Sequence, residues 1–415
     1  MGELFAFPGY NARIDLPHMH RVTPPRITHT VPARVGIVGT GFIAMGLCML
    51  MRTSSDLGVG KVLTRRPVES VRNLDAKTLT NSLDDLIENS DVVVECSGDI
   101  VHACKVVDAA LRAGLPVVTM GAEFHVTVGS YFCTKGLLTE AEGDQPGSLA
   151  ALHEEAVSMG FRPLVYGNIK GFLNENPTHA DMAYWAQRNG ISIPQVTSFT
   201  DGTKLQIEQA LVANGLGADI VQRGMLGLKD LPLEDASLML GHEAASLGTP
   251  ISDYVLNSKL PAGVFLVGDH LTERSEVLRY LKLGDGPYYT LLRPYHLCHL
   301  EMPRTIRRVL EGRGPLLNNS ANPRVNVVAV AKRDLPAGHF IETAIGGDEF
   351  RGETVKFADT GDAPPIGLLS GSRLRHSVSA GQTLSASDVD VPDSLAKHAW
   401  QSLLSRTGVR ELACA

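Results

Sequence analysis

Two kinds of hydrophobic pattern alternate over the first third of the chain. Short apolar runs, which predict buried parallel strands, cover residues 35–38, 59–63, 91–96 and 115–120. Between them, apolar residues recur at helical spacing over residues 43–51, 83–87 and 101–113. This succession of βα units predicts an α/β protein with an open, doubly wound parallel sheet of the Rossmann type.

A glycine-rich turn joins the first predicted strand to the first predicted helix. We expect Gly39 to make the tight turn, Gly41 to leave room for a pyrophosphate, and Ala44 to let the helix pack closely on the strand. Because a strand and a helix flank the motif, we predict a dinucleotide site that includes Gly39, Gly41, Phe42 and Ile43. The alternative is a turn with a structural role only.

The next two strand ends sharpen the choice of cofactor. Sites for NAD usually carry an Asp or Glu after the second strand, whereas this chain has Arg65 and Arg66 there. Guanidinium groups suit a 2′-phosphate, so we predict NADPH, the alternative being a solvated basic loop. Ser97 and Gly98 follow the third long strand and are expected to pass beneath the nicotinamide.

A Gly/Asn-rich segment in the middle of the chain is the first candidate for chemistry. It covers residues 166–177, between a predicted strand at 163–166 and a predicted helix at 179–188. We predict that Lys170 donates a proton or polarises a carbonyl, and that Asn174 and Asn176 orient substrate hydroxyls. The alternative is a turn with a solvated lysine.

Two further groups of polar residues are candidates for chemistry. Lys204 and Glu208 share one helix face, in the order that stabilises a helix less, which favours a role towards a cleft over an exposed ion pair. Arg293 and His296 lie between an aromatic strand at 287–292 and a helix at 303–311, where either could bind a phosphate or carboxylate.

Glu123 lies in the polar stretch after the strand that ends at residue 120. It could hold the nicotinamide loop or bind Mg²⁺ or Mn²⁺, which prefer oxygen ligands. No acidic cluster has clear ligand spacing, so no metal site is assigned. The pattern over residues 136–162 predicts a helix on each side of residues 144–147.

The patterns divide the chain into five parts. Residues 1–31 form a proline-rich arm, 32–135 the NAD(P)-binding Rossmann domain, 136–322 an α/β catalytic and dimerisation domain, 323–392 a small β-rich domain, and 393–415 a helical tail.

Residues 170–174 resemble the homoserine dehydrogenase superfamily. A closer resemblance is found in other segments, which include residues 64–66, 201–204, 282–290 and 293–297. They resemble the bacterial 1-deoxy-D-xylulose 5-phosphate reductoisomerase-like enzymes, which are homoserine dehydrogenase-like oxidoreductases with a C-terminal SAF domain of the β-clip fold. The resemblance implies this domain layout and a homodimer. Gly121 and His125 depart from the Asn and Asp that the family has near Glu123, which leaves substrate and isomerisation open.

Composition excludes some classes of partner. The 415 residues carry a net charge of −7, which argues against nucleic acid. No apolar run reaches the ~18 residues of a membrane span, and the first residues do not resemble a signal peptide. The six cysteines show no CxxC spacing, so we predict reduced thiols and a cytoplasmic location.

Together these features predict an NADPH-dependent oxidoreductase that reduces a small polyhydroxylated ketone or aldehyde, with or without a phosphate group. A preceding ketol rearrangement would make it a reductoisomerase and would usually call for Mg²⁺ or Mn²⁺. One alternative is an alcohol dehydrogenase of the homoserine dehydrogenase type. Another is an NADP-dependent sugar sensor without turnover, whose SAF-like domain binds the sugar.

Overall fold

A computed structural model describes residues 32–407. The predicted N-terminal arm and the last residues of the predicted tail lie outside the described residues.

The first domain is a six-stranded, wholly parallel sheet, as the βα succession predicts. Its strands are β1 (Ala33–Val38), β2 (Leu57–Leu63), β3 (Leu79–Thr80), β4 (Val92–Glu95), β5 (Val117–Thr119) and β6 (Leu138–Glu140). Its helices are α1 (Phe42–Met51), α2 (Leu83–Glu88), α3 (Ile100–Arg112), α4 (Ala122–Phe124) and α5 (Ser130–Phe132). The order β3-β2-β1-β4-β5-β6 is that of the doubly wound Rossmann fold, and it places the carboxyl ends of β1 and β4 side by side.

The sixth strand corrects the expectation of helix from residue 136. β6 pairs with β5 in parallel register, with Val117 opposite Leu138 and Thr119 opposite Glu140. Three buried residues are too few to show a strand period, so the sequence pattern alone could not separate this strand from the helix that follows. The first sheet therefore extends beyond residue 135.

A second, mixed sheet forms the middle of the chain. Its strands are β7 (Arg162–Lys170), β8 (Leu228–Lys229), β9 (Ile251–Leu256), β10 (Val264–Asp269) and β11 (Tyr288–Arg293), in the order β11-β10-β7-β9-β8. The helices here are α6 (Gln145–Ser158), α7 (His179–Asn189), α8 (Ile193–Thr200), α9 (Thr203–Leu216), α10 (Leu233–Leu247), α11 (Ser275–Tyr280) and α12 (Met302–Leu310). One core cluster joins the sheet to α6 and α9, and another joins it to α10, so both faces are covered.

Helix α12 follows the second sheet in sequence but packs in the core of the first. Met302, Ile306 and Val309 are buried among residues of β1, β2 and α1. This return agrees with the predicted helix at 303–311.

The last part of the described chain is mostly β. Its elements are β12 (Val325–Ala331), β13 (Phe340–Ile341), β14 (Phe350–Lys356), β15 (Ser372–Leu374), β16 (Val389–Asp390) and the helix α13 (Leu395–Thr407). β12 pairs antiparallel with β14, and β13, β15 and β16 form a small antiparallel sheet. Helix α13 returns to the Rossmann domain, where Trp400 packs in one core cluster with residues of α3.

Among residues 32–407, no helix is both long and apolar enough to cross a membrane. The five cysteines in this part of the chain are all free thiols.

Candidate active site

The glycine-rich turn has the geometry that a bound pyrophosphate requires. Gly39 has φ +106°, and a Cβ there would lie 3.1 Å from the Cys96 carbonyl oxygen, so a side chain is excluded. A Cβ at Gly41 would meet no atom within 4 Å. No side chain caps α1 and no acidic residue lies in its first turn, so its first amides face open space.

The predicted nicotinamide turn lies against this motif. The Ser97 Cα would be 3.2 Å from a Cβ at Gly39, which places the ends of β1 and β4 in contact. Gly98 has φ +72°, with open space around it, and the Ser97 amide donates to Glu95 Oε1 at 2.9 Å. Phe42 is 75% exposed at the start of α1. The start of α1 and Gly98 in the turn after β4 are thus both exposed.

A basic pocket of about 500 Å³ lies at the end of β2. Arg65 and Arg66 line it, as do His102 and Lys105 from the first turns of α3. Asp99, the N-cap of α3, accepts from the His102 amide at 3.0 Å and pairs with Arg65 at 2.7 Å. Sequence reasoning missed His102 and Lys105, because only the fold shows that α3 begins beside the end of β2.

Six charged or titratable side chains from both domains meet in a second cluster. They come from α4, the cap of α6, the end of β7, helix α9 and the loop after β11: Glu123, Asp144, Lys170, Lys204, Glu208 and His296. Five of them are predicted site residues; Asp144 is new. We call this group the lysine–carboxylate cluster.

Lys204 joins the two domains. Its Nζ lies 2.9 Å from Glu123 Oε1 on the Rossmann side and 3.6 Å from Asp144 Oδ2. Burial would lower the pKa of the Lys204 ammonium, but Glu123, Asp144 and Glu208 outweigh burial and raise that pKa well above its ordinary value. Lys204 is therefore a fixed positive charge that holds α4, the short helix after β5.

Lys170 is the last residue of β7 and is more accessible than Lys204, with 21% of its side chain exposed. Its Nζ lies 3.5 Å from Glu208 Oε2. The Gln145 amide, oriented to satisfy its neighbours, accepts from Lys170 Nζ at 2.9 Å and donates to Asp144 Oδ1 at 2.9 Å and Glu208 Oε1 at 3.1 Å. Asn168 Nδ2 donates to Glu208 Oε2 at 3.1 Å. This network holds the ammonium of Lys170 in place from its buried side.

Glu208 is buried beneath the two lysines. Burial raises the pKa of its carboxyl, while Lys170 and Lys204 act in the opposite direction. Lys204 and Glu208 do lie on one helix, but each pairs with residues of other elements. Sequence reasoning missed Asp144, Gln145 and Asn168. The only signal was that Asp144 and Gln145 begin a helix and that Asn168 lies inside a strand, and many polar residues share such positions.

His296 lies at the open side of the cluster. Burial lowers the pKa of its imidazole, and Lys170 acts in the same direction against Asp144 and Glu301. Its buried Nδ1 has no hydrogen-bond partner among residues 32–407. The loop is tied to the cap of α6, because the Cys298 amide donates to the Gly143 carbonyl at 2.8 Å.

Arg293 has a different environment from the one expected for an anion-binding residue. Its guanidinium, 9% exposed, pairs with Glu142 Oε1 at 2.7 Å and also with Glu301. Glu142 in turn pairs with Arg304 at 2.7 Å. The two carboxylates neutralise Arg293, which therefore ties β11 to the start of α12. Of the predicted residues Arg293 and His296, only His296 reaches the lysine–carboxylate cluster.

Asn174 and Asn176 lie on the exposed loop that follows Lys170. The Asn174 amide donates to the Thr200 carbonyl at 2.8 Å, and its side-chain oxygen accepts from the Asn176 amide at 3.1 Å. These bonds shape the loop. Within residues 32–407 no group of three or more His, Cys, Asp or Glu side chains is arranged to hold a metal ion.

Two buried titratable side chains, Glu140 of β6 and His125 directly after α4, support the segment that follows β5. Glu140 Oε2 accepts from Thr119 Oγ1 at 2.6 Å and from the Gly121 amide at 3.3 Å, and lies 3.4 Å from His125 Nε2. Burial raises the pKa of Glu140 well above its ordinary value and lowers that of His125 to about 3. His125 is therefore neutral at pH 7, and the departures at residues 121 and 125 form part of this buried support.

Two protein-family models match the chain. Residues 39–126 match the NAD-binding domain of homoserine dehydrogenase, and residues 143–302 match the catalytic domain of oxidoreductase DRL. The first segment contains the glycine-rich turn and Glu123, and the second contains the other five residues of the lysine–carboxylate cluster. The chain is therefore an NAD(P)-binding oxidoreductase of the dehydrogenase type.

Solved structures of several dehydrogenases are similar to the chain. A UDP-N-acetylglucosamine 3-dehydrogenase from Acidithiobacillus ferrooxidans has 11% identity over 70% of this chain and 93% of that one, with a TM-score of 0.40. A myo-inositol dehydrogenase from Corynebacterium glutamicum has 9% identity over 68% and 90%, also with 0.40. A homoserine dehydrogenase from Thiobacillus denitrificans has 19% identity over 44% and 48%, with 0.35. No curated protein sequence matches the chain.

Proposed function

We propose that the protein is an NADP(H)-dependent oxidoreductase that interconverts a hydroxyl and a carbonyl group on a small polyhydroxylated substrate. The observation that carries this proposal is the position of Lys170, a partly accessible ammonium at a strand end that Glu208 and Gln145 hold in place. The nicotinamide, when bound, supplies or accepts the hydride. The chain's own residues supply the proton and the orientation.

The basic pocket supports the choice of NADP(H) over NAD(H). Arg65, Arg66 and Lys105 surround a cavity at the end of β2, where the adenosine ribose lies in a doubly wound fold. A 2′-phosphate carries up to two negative charges, which these side chains match through planar and ammonium donors. Asp99 already pairs with Arg65, so it orients this guanidinium and offsets part of the positive charge of the pocket.

The two lysines have different roles in this proposal. Lys170 donates a proton to the oxygen of the carbonyl during reduction and takes it back during oxidation. Lys204 keeps its proton because three carboxylates surround it, and it holds Glu123 against the catalytic domain. Glu123 lies on α4, whose preceding residue Gly121 is next to Glu95, and Glu95 accepts from the Ser97 amide of the turn at which we place the nicotinamide.

The charge of the cluster bears on the substrate. Three carboxylates face two ammonium groups, each lysine already lies against a carboxylate, and Arg293 is neutralised by Glu142 and Glu301. Carboxylate oxygens accept hydrogen bonds from hydroxyl groups, whereas they repel a phosphate. We therefore expect a neutral, hydroxyl-rich ketone or aldehyde to bind more tightly than its phosphorylated form. A ketol rearrangement and a homodimer stay predictions.

The test is NADPH oxidation by the full-length protein with a panel of small ketoses and aldoses, each with and without a phosphate group. Each reaction is run with and without Mg²⁺ or Mn²⁺, and the product carbon skeleton is determined by NMR. We expect the unrearranged alcohol from a neutral substrate. A branched product that requires metal would instead establish a reductoisomerase, and NADPH binding without turnover of any substrate would favour the sensor.

A further inference from the structure

The C-terminal β region contacts the helix that carries two residues of the lysine–carboxylate cluster. Nearly all of α9 is buried, because it lies between the second sheet and the strands β12 and β14. Polar side chains of α9 accept hydrogen bonds from β14: Gly352 N donates to Thr203 Oγ1 at 2.8 Å, and Thr354 N donates to Gln206 Oε1 at 2.9 Å. The C-terminal region thus forms one wall of the groove in which α9 lies.

A buried ion pair fixes the start of the same helix. Lys332 Nζ, directly after β12, lies 2.6 Å from Asp201 Oδ2, and the two side chains are 6% and 0% exposed. Lys332 Nζ also donates to the Gly347 carbonyl at 2.9 Å. The other oxygen of Asp201, Oδ1, accepts from the Thr203 amide at 2.9 Å. Asp201 therefore links the C-terminal region to the first turn of α9.

Lys204 lies in this first turn, one residue after Thr203. Gly202, which separates Asp201 from the helix, has φ +86°, so the chain turns sharply at this point. If Asp201 moves, Thr203 moves with it, and the Nζ of Lys204 shifts relative to Glu123 and Asp144. A shift of about 1 Å in a catalytic constellation can reduce turnover by two orders of magnitude.

We propose that Lys332 and Asp201 are positioning residues: through them the C-terminal β region sets the place of Lys204, and so of Glu123 on α4, in the active site. The effect on turnover rests on the function proposed above, whereas the effect on α9 does not. The C-terminal region thereby has a role in the catalytic site of its own chain.

The chain offers a matched control. Lys356, at the end of β14, pairs with Asp219 at 3.4 Å, which also joins the C-terminal region to the catalytic domain, but beyond the far end of α9. Lys332→Met and Lys356→Met each remove one ammonium and keep an apolar stem. Asp201→Asn combined with Lys332→Met removes the ion pair without leaving an unpaired buried charge.

The experiment compares these variants as full-length proteins, first by hydrogen exchange without substrate. Relative to wild type, we expect amides 203–207 to exchange at least about fivefold faster in Lys332→Met and about threefold faster in the double variant. In Lys356→Met they should exchange at the wild-type rate. In turnover we expect kcat to fall about tenfold in Lys332→Met and about threefold in the double variant, with the NADPH Kd unchanged within about twofold.

Two results would overturn the proposal. One is wild-type exchange at amides 203–207 in Lys332→Met; the other is wild-type kcat in the folded variant with only a lower melting temperature, since that marks a purely structural role. If Lys332→Met does not fold, the double variant is decisive, and unchanged exchange and kcat in it would refute the proposal. Wild-type protein without any turnover would refute the proposed function, while the exchange result would still decide whether Lys332 positions α9.

Discussion

The two halves of the proposed active site are built in different ways. The cofactor half comes from a short stretch of chain, residues 39–105, in which successive strand ends and helix starts supply each group. The lysine–carboxylate cluster brings together residues from 123 to 296, and its charges lie close enough to pair. The cofactor half depends on local backbone geometry, whereas the catalytic half depends on long-range packing that brings opposite charges together.

This difference has a physical reason. A pyrophosphate needs amides and open space, which a glycine-rich turn supplies on its own. A proton donor in a buried cluster needs partners that fix its position, and carboxylates from distant elements supply them at the expense of burying charge. Substitutions in the cofactor half should therefore change affinity for the cofactor, and those in the cluster should change turnover.

The largest expected effect is that of Lys170→Met. We expect kcat to fall about 10³-fold or more, because general acid catalysis typically contributes 10²–10⁴-fold, while the NADPH Kd stays within about twofold of wild type. Steady-state kinetics and NADPH fluorescence measure the two quantities. Lys229→Met, on the exposed end of β8, is the control. Wild-type turnover in Lys170→Met would remove this residue from the chemistry.

Arg293→Met tests whether Arg293 is an anchor or a ligand for substrate. Removing one partner of a buried ion pair typically destabilises a protein by about 3–5 kcal/mol. In this variant Glu301 would lose its charged partner, and Glu142 would keep only Arg304. We expect a loss of this size in urea unfolding and an unchanged KM where the variant is folded. A stable variant with a KM raised at least tenfold would assign substrate binding to Arg293.

Glu95 is a buried carboxyl in the cofactor half, and its ionisation makes the stability of this half depend on pH. Burial raises its pKa from 4.5 to about 7 in the folded protein. The folded state therefore binds the proton more tightly than the unfolded state, and stability falls as pH rises from 4.5 to 7.

Glu95→Gln should remove this dependence. We expect it to be more stable than wild type by about 3 kcal/mol at pH 8 and equal to it at pH 4, in urea unfolding of the protein without cofactor. Glu88→Gln, at the exposed end of α2, should show no such gain. Equal stability of Glu95→Gln and wild type at pH 8 would show that Glu95 ionises in the folded state at little cost.

The smallest of these effects is expected in the basic pocket. Replacing Arg65 and Arg66 together by Ala should raise the NADPH Kd about 30-fold and leave the NADH Kd within about threefold, since charged hydrogen bonds contribute about 1.5–3 kcal/mol each and Asp99 already neutralises Arg65 in part. Arg112→Ala, exposed near the end of α3, is the control. Equal losses for both nucleotides would argue against recognition of the 2′-phosphate.

The same contrast explains what the sequence could predict. The parallel sheet, the turn at Gly39 and Gly41 and the strand end at Arg65 are local patterns, and the structure has all of them. Lys170, Lys204 and Glu208 could be named from their setting, but their partners could not. Asp144 and Gln145 begin a helix as countless polar residues do, and only the packing of α6 against β7 and α9 shows that they face the two lysines.

Arg293 shows how a sequence pattern can suggest the wrong environment for a residue. Its neighbours in sequence suggested an anion site, yet Glu142, about 150 residues earlier, and Glu301 neutralise it. The strand β6 was likewise hidden, because its three residues have no period of their own and are defined by pairing with β5. Both cases depend on contacts between distant parts of the chain, which a single sequence does not display.

The most direct test of the central claim is hydride transfer itself. NADPH that carries deuterium at both positions of C4 of the nicotinamide is incubated with the wild-type protein and the neutral ketose or aldose that the panel identifies, and the product is examined by NMR. We predict one deuterium on the carbinol carbon with wild type and a loss of about 10³-fold in its rate of appearance with Lys170→Met, at full NADPH binding. NADPH oxidation without deuterium in the product, or equal rates in the two proteins, would contradict the account.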